Sequence, residues 1–115
     1  MIKRIEKTKI MHRVVVHSGI AFLGGVIADD VSVGMGGQVT QICAKLEQVL
    51  ALAGTDKTKL LSAQLFITDM SLKDEMNEAW LSWLNGDDLP ARATIGVADL
   101  GKPEIKIEVV VTAAV

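Results

Sequence analysis

The carboxy-terminal run Glu104 to Val115 alternates strictly, with Ile105, Ile107, Val109 and Val111 on one file and Lys106, Glu108, Val110 and Thr112 on the other. Strict alternation predicts a β-strand, because successive side chains leave the backbone on opposite sides. The first file is wholly β-branched and belongs against a core. The second mixes charge with Val110 and Thr112. A strand of this kind requires a sheet covered on one face and incompletely polar on the other.

Other segments supply its neighbours. Val14 to His17 and Ile20 to Leu23 flank Ser18-Gly19, a two-residue gap ending in glycine, which predicts a tight hairpin. Leu60 to Thr68 reads as a strand with Leu61, Ala63, Leu65 and Ile67 on one face, and Ala91 to Ala98 as another, broken by Asp99 to Pro103. At the amino end Lys3, Arg4, Lys7, Lys9 and Arg13 stand against Glu6 alone. That pattern suits a solvated edge strand, where lysines discourage edge-to-edge pairing.

Two amphipathic segments interrupt the strands. Val39, Ile42, Cys43, Leu46, Val49, Leu50 and Ala53 recur at helical spacing, and Gly54 stands where a left-handed cap belongs. Gly34-Met35-Gly36-Gly37 before them is a flexible start to that helix; no Gly-Lys-Ser/Thr follows to make a phosphate loop. Cys43 lies on the apolar stripe and is expected to be a small buried hydrophobe. Ser71-Leu72-Lys73-Asp74 has capping-box spacing, and Leu72, Met76, Ala79, Trp80, Trp83 and Leu84 form the apolar face of a second helix. Gly86-Asp87-Asp88 ends it, and Pro90 prevents its resumption.

The order is therefore β-β-β-α-β-α-β-β, an α+β architecture with two helices on one sheet face, in a single domain over residues 1–115. The uncovered face carries Val110, Thr112 and alternate residues of other strands. It is too apolar for bare solvent, so a homo-oligomer is expected.

Composition removes several functions. Half of the 115 residues are apolar, which excludes a disordered chain, and a net charge of −2 excludes a nucleic-acid binder resting on overall positive charge. One cysteine and two histidines give neither a disulfide framework nor a plausible zinc cage, so no metal is expected. No apolar run approaches the ~18 residues that span a bilayer, and the basic amino end lacks the apolar stretch of a secretory signal. A cytoplasmic protein is expected.

The chemical inventory is small. There is no tyrosine and no nucleophilic serine motif, and His12 and His17 read as ordinary strand histidines. Pro90-Ala91-Arg92-Ala93-Thr94 places an arginine at the start of a strand after a rigid turn, and Glu108 sits on the polar file of the last strand. An arginine held by backbone can grip a carboxylate bidentately, and a glutamate can orient a water. The plainer reading, equally consistent with spacing, is a surface ion pair between the two.

Four stretches in order resemble the reactive intermediate deaminase (RidA/YjgF) family over nearly the whole chain. They are Gln38 and Gln41 opening a helix that ends Leu50-Ala51-Leu52-Ala53-Gly54; Phe66-Ile67-Thr68-Asp69-Met70 before a helix with Asn77-Glu78-Ala79-Trp80; Pro90-Ala91-Arg92; and Ile105-Lys106-Ile107-Glu108. The resemblance implies a chorismate-mutase-like fold with a mixed sheet, a homotrimer with clefts between subunits, and hydrolysis of enamines and imines such as 2-aminoacrylate to 2-oxo acids and ammonia without any cofactor. By position, Arg92 would bind the substrate carboxylate and Glu108 would place the attacking water. Gly24, Gly25 and Thr94 would line the substrate site, and Asn77 would be structural.

The chain departs from the family pattern in three places. A cleft tyrosine is usual near the position of Met11; a serine is frequent where Gly24 stands; and Thr94 replaces a cysteine. The first two changes remove polar contacts, so the resemblance does not extend to the identity of the substrate. Two readings stay open: an imine deaminase, and a non-catalytic trimer that binds 2-oxo acids or related metabolites. Arg92 serves both, whereas Glu108 is needed only for catalysis. A third activity of some relatives, RNA cleavage, is disfavoured by the acidic balance and the lack of stacking aromatics.

Overall fold

The computed structural model describes all 115 residues. In chain order the elements are β1 (Lys3–Lys7), β2 (His12–His17), β3 (Ile20–Leu23), α1 (Met35–Leu52), β4 (Leu60–Ile67), α2 (Lys73–Trp83), β5 (Ala91–Gly96) and β6 (Ile107–Ala114), with short 3-10 turns between some of them. They form one six-stranded sheet in the order β1-β2-β3-β6-β4-β5. All pairs are antiparallel except β4 and β5, which run parallel because α2 crosses over between them. No helix is long and apolar enough to cross a membrane.

Local chemistry accounts for the joints. Ser18 and Gly19 both adopt positive φ, +51° and +78°, the conformation that a two-residue hairpin turn needs between His17 and Ile20. At the end of α1, Gly54 takes φ +77°, and the Gly54 and Thr55 N–H groups donate to the Ala51 and Leu50 carbonyls. That pair of bonds closes the last turn as a Schellman cap.

The core lies between the helices and one sheet face. Val39, Ile42, Cys43, Leu46, Val49 and Leu50 of α1 and Met76 and Trp80 of α2 pack with Val14, Ala21, Leu23, Ala63, Leu65, Ile67, Ile107, Val109, Val111 and Ala113. The alternation expected for the last strand holds: its odd-numbered residues are buried and its even-numbered ones half-buried. Val15, Phe22, Thr112 and Ser62 form one row across the opposite face, with Val110 and Gln64 in the next, and Phe22 is 49% exposed.

Two local expectations are corrected. Leu61 is 44% exposed, not on the buried face, because the β4–β6 register shifts between Leu60 and Ser62. The bulge turns Leu60 inward in its place and leaves Ala63, Leu65 and Ile67 as expected. Ser71 does not cap α2. Its N–H and hydroxyl both donate to Asp69, at 2.9 and 2.6 Å, so Asp69 nucleates a 3-10 turn and α2 starts two residues after Ser71, at Lys73.

Candidate active site

Glu108 lies on the half-buried file of β6, beside Phe66 of β4. The segment after β3 returns against it: Val26 exchanges backbone bonds with Val109, at 2.9 and 3.0 Å. Between the Phe22–Thr112 and Val26–Val109 pairs the register slips by one residue, and Gly24 and Gly25 occupy the slip. The result is close packing of side chain on backbone. The Glu108 carboxylate fills the place where a β-carbon on Gly25 would stand, and the Met11 thioether fills the same place at Gly24. Met11, at the position where the resemblance expects a tyrosine, thus sets a flexible apolar side chain against Gly24.

A buried amide holds this arrangement from behind. Gln38 in the first turn of α1 has no solvent exposure. Its Nε2 donates to the carbonyls of Val33 at 3.1 Å and Glu104 at 2.9 Å, and its Oε1 accepts the Lys106 N–H at 3.0 Å. Gln38 therefore ties the loop before α1 to the backbone leading into Glu108. Gln41 pins the same loop, exchanging two 2.9 Å bonds with the Asp30 backbone. The sequence signal for Gln38 was a polar residue one turn ahead of Ile42 on an apolar stripe.

Arg92 is elsewhere. On the edge strand β5 it stands beside Ala63, and Thr94 beside Leu65, on the helix-facing file. With Asn77, Trp80 and Leu81 of α2 and the Leu89-Pro90 turn, Arg92 lines a cavity of about 280 Å³. The fixed φ of Pro90 sets the direction in which the strand starts. β4 lies between Arg92 and Glu108, and the two residues occupy opposite faces of the sheet. The surface ion pair between them does not form: the ion pairs of the chain are Arg13–Glu6, Lys45–Asp29 and Lys57–Glu47. The structure thus brings Glu108, Gly24 and Gly25 together and places Arg92 and Thr94 in a second group.

Other reactive groups are accounted for. Cys43 is buried between the helices, where loss of solvation, then the nearby Glu47 carboxylate, pushes its thiol up to about 12. It is not a nucleophile at neutral pH. The ring of His17 meets the Met1 carbonyl through Nδ1 at 3.3 Å. No three His, Cys, Asp or Glu side chains gather as metal ligands.

A guanidinium and a carboxylate on opposite faces of one sheet are carried by a fold that many proteins share. The family model described as Endoribonuclease L-PSP matches residues 1–115. A RutC family protein from Haemophilus ducreyi is 36% identical over 115 residues, covering 100% of this chain and 97% of its own. This chain belongs to the RidA/YjgF family. The RutC family protein YoaB of Escherichia coli is 30% identical to this RidA/YjgF member over 114 residues, 99% of this chain and 98% of that one. Among solved structures, a YjgF family protein from Neisseria meningitidis superposes with a TM-score of 0.94 at 29% identity, covering 99% and 94% of the two chains. The fold is the chorismate-mutase-like α+β fold of this family.

Proposed function

We propose that this RidA/YjgF protein is an imine and enamine deaminase, hydrolysing 2-imino acids of the 2-aminoacrylate type to 2-oxo acids and ammonia. The observation that carries the reading is the isolation of its two charged groups: neither Arg92 nor Glu108 has an ion-pair or hydrogen-bond partner in its own chain. Each is half of a site. The sheet face that bears Glu108 also bears Phe22, Val110 and Phe66, an apolar surface suited to a second copy of the chain. In a closed homotrimer, Arg92 of one copy would meet Glu108 of the next across that surface.

The chemistry asked of such a cleft is modest. Arg92 would bind the substrate carboxylate through two parallel N–H bonds. Glu108 would hold a water against the C=N carbon and take its proton as the C–O bond forms. That proton passes to the imine nitrogen to complete the carbinolamine. Glu108 then carries the hydroxyl proton to the same nitrogen as the C=O forms and the C–N bond breaks, so that ammonia leaves a 2-oxo acid. An enamine such as 2-aminoacrylate enters this sequence after its own N–H proton has moved to the methylene carbon to give the imine. Positioned proton transfer of this kind is worth about 10²–10⁴ in rate. No metal or organic cofactor takes part in these steps.

The test supplies 2-aminoacrylate continuously with a serine dehydratase in the presence of semicarbazide. Wild-type protein should divert the imine from the trap to pyruvate, and Arg92→Ala should not. Glu108→Gln separates catalysis from binding: it should retain 2-oxo acid binding and lose most of the rate. Equal diversion with and without the protein, for 2-aminoacrylate and for imines of leucine, methionine and phenylalanine made by an amino-acid oxidase, would refute the proposal. A protein that binds 2-oxo acids yet consumes no imine is the non-catalytic module.

A further inference from the structure

We propose that Asn85 is a site of self-modification, its side-chain amide exchanging for a carboxylate through attack by the Gly86 backbone nitrogen. The chain has two asparagines, Asn77 and Asn85, and Asn85 alone is followed by glycine. Asn85 and Gly86 lie in an exposed turn between α2 and β5. Leu84 and Asn85 are extended, with ψ of 150° and 137°, so the hydrogen-bond ladder of α2 ends before the Gly86 N–H. The nucleophile is also unshielded. Gly86 has no β-carbon, and nothing stands within 4 Å of where one would be.

The turn prepares the electrophile. The Asp87 N–H donates to the Asn85 Oδ1 at 3.0 Å, and the Asp88 N–H donates to the Asn85 carbonyl at 3.0 Å. The first of these bonds folds the side chain forward along the following peptide and draws electron density from its Cγ. The Gly86 nitrogen bonds to Cγ and gives up its proton, the Cγ–Nδ2 bond breaks, and the amide leaves with that proton as ammonia. Water then opens the cyclic imide at either carbonyl. Opening at Cγ gives aspartate; opening at the main-chain carbon gives isoaspartate, whose backbone runs through the former side chain. Amide and water have become acid and ammonia, with no oxidant or reductant. Asn77 is the internal contrast: it lies in the middle of α2, where the next N–H is tied into the helix and its own Oδ1 is buried. The fold thus confines the change to the turn that leads through Leu89 and Pro90 to Arg92 and its cavity. This reaction proceeds whether or not the protein hydrolyses imines.

The test holds folded wild-type protein warm in mildly alkaline buffer made with ¹⁸O-labelled water. Peptide mass mapping should find the amide-to-acid change, with heavy oxygen, at Asn85 and not at Asn77. Methyl transfer from S-adenosylmethionine by an isoaspartyl methyltransferase should report isoaspartate in the same peptide. Gly86→Ala sets a methyl group beside the nucleophile in open space, so it should fold normally and slow the change about tenfold, a barrier rise of ~1.4 kcal/mol. Aspartate without isoaspartate would show direct hydrolysis of the amide, and equal rates in wild type and Gly86→Ala would exclude the glycine nitrogen. Either result overturns the proposal, as does an Asn85 that stays intact or reacts no faster than Asn77.

Discussion

The Glu108 carboxylate stands in the space that a side chain on Gly25 would take. The contact explains a glycine that no turn requires, since Gly25 is not among the positive-φ residues. A carboxylate packed on bare backbone has no competing ion pair in its own chain. That combination suits a water-orienting group better than a structural one.

Gly25→Ala is therefore expected to keep its fold and lose imine hydrolysis by about 10²-fold, the lower end of what positioned proton transfer contributes. The new methyl group meets the end of a flexible side chain, which swings aside and takes the carboxylate with it. Gly24→Ala displaces only the Met11 thioether and should change the rate far less. Steady-state kinetics and thermal melting of the two variants check this.

Mixing two inactive variants tests where the site lies. Arg92→Ala and Glu108→Gln chains, co-refolded in equal amounts, should recover about a quarter of wild-type activity if each site takes Arg92 from one copy and Glu108 from the next around a closed ring. No recovery would show that both residues act from one chain. The same samples should sediment as trimers of the 12.3 kDa chain.

Gln38→Leu should destabilise the protein by on the order of 3 kcal/mol, because it strips partners from the Lys106 N–H and the Glu104 and Val33 carbonyls at once. Urea denaturation measures the loss. Any surviving folded protein should also show weakened catalysis, since these bonds set the backbone that leads into Glu108.

The Cys43 thiol provides a pH test. Its folded value of about 12 lies above the unfolded one, so the thiol proton is held more tightly in the native state. The sign follows: the contribution is intact below about pH 8.5, the ordinary thiol value, and is lost as pH rises toward the folded value. Native protein should show no thiolate absorbance step near about pH 8.5 and no rapid reaction with thiol reagents, and both should appear on unfolding.

Much of the fold was legible because it depends on neighbours along the chain. The period-two file of Ile107, Val109 and Val111 and the helical spacing from Val39 to Ala53 are local records of which side is buried. The Ser18-Gly19 and Gly54 conformations are equally local. Arg92 and Glu108 could be singled out the same way, one after a rigid proline and one on a mixed strand file. The simple patterns fail at Leu61 and Ser71 for different reasons: a bulge set by distant pairing with β6 turns Leu61 outward, and at Ser71 one local motif, the turn formed with Asp69 two residues earlier, prevails over another, the capping box. What lay beyond the sequence was every relation between distant segments. Only the tertiary structure puts Gly25 under Glu108, ties Gln38 to Lys106, and sends Arg92 to the far side of the sheet beside an unpartnered Asn77. Periodicity states which way a side chain points; which atoms meet there depends on strand order and register, and these are decided by the packing of the whole chain.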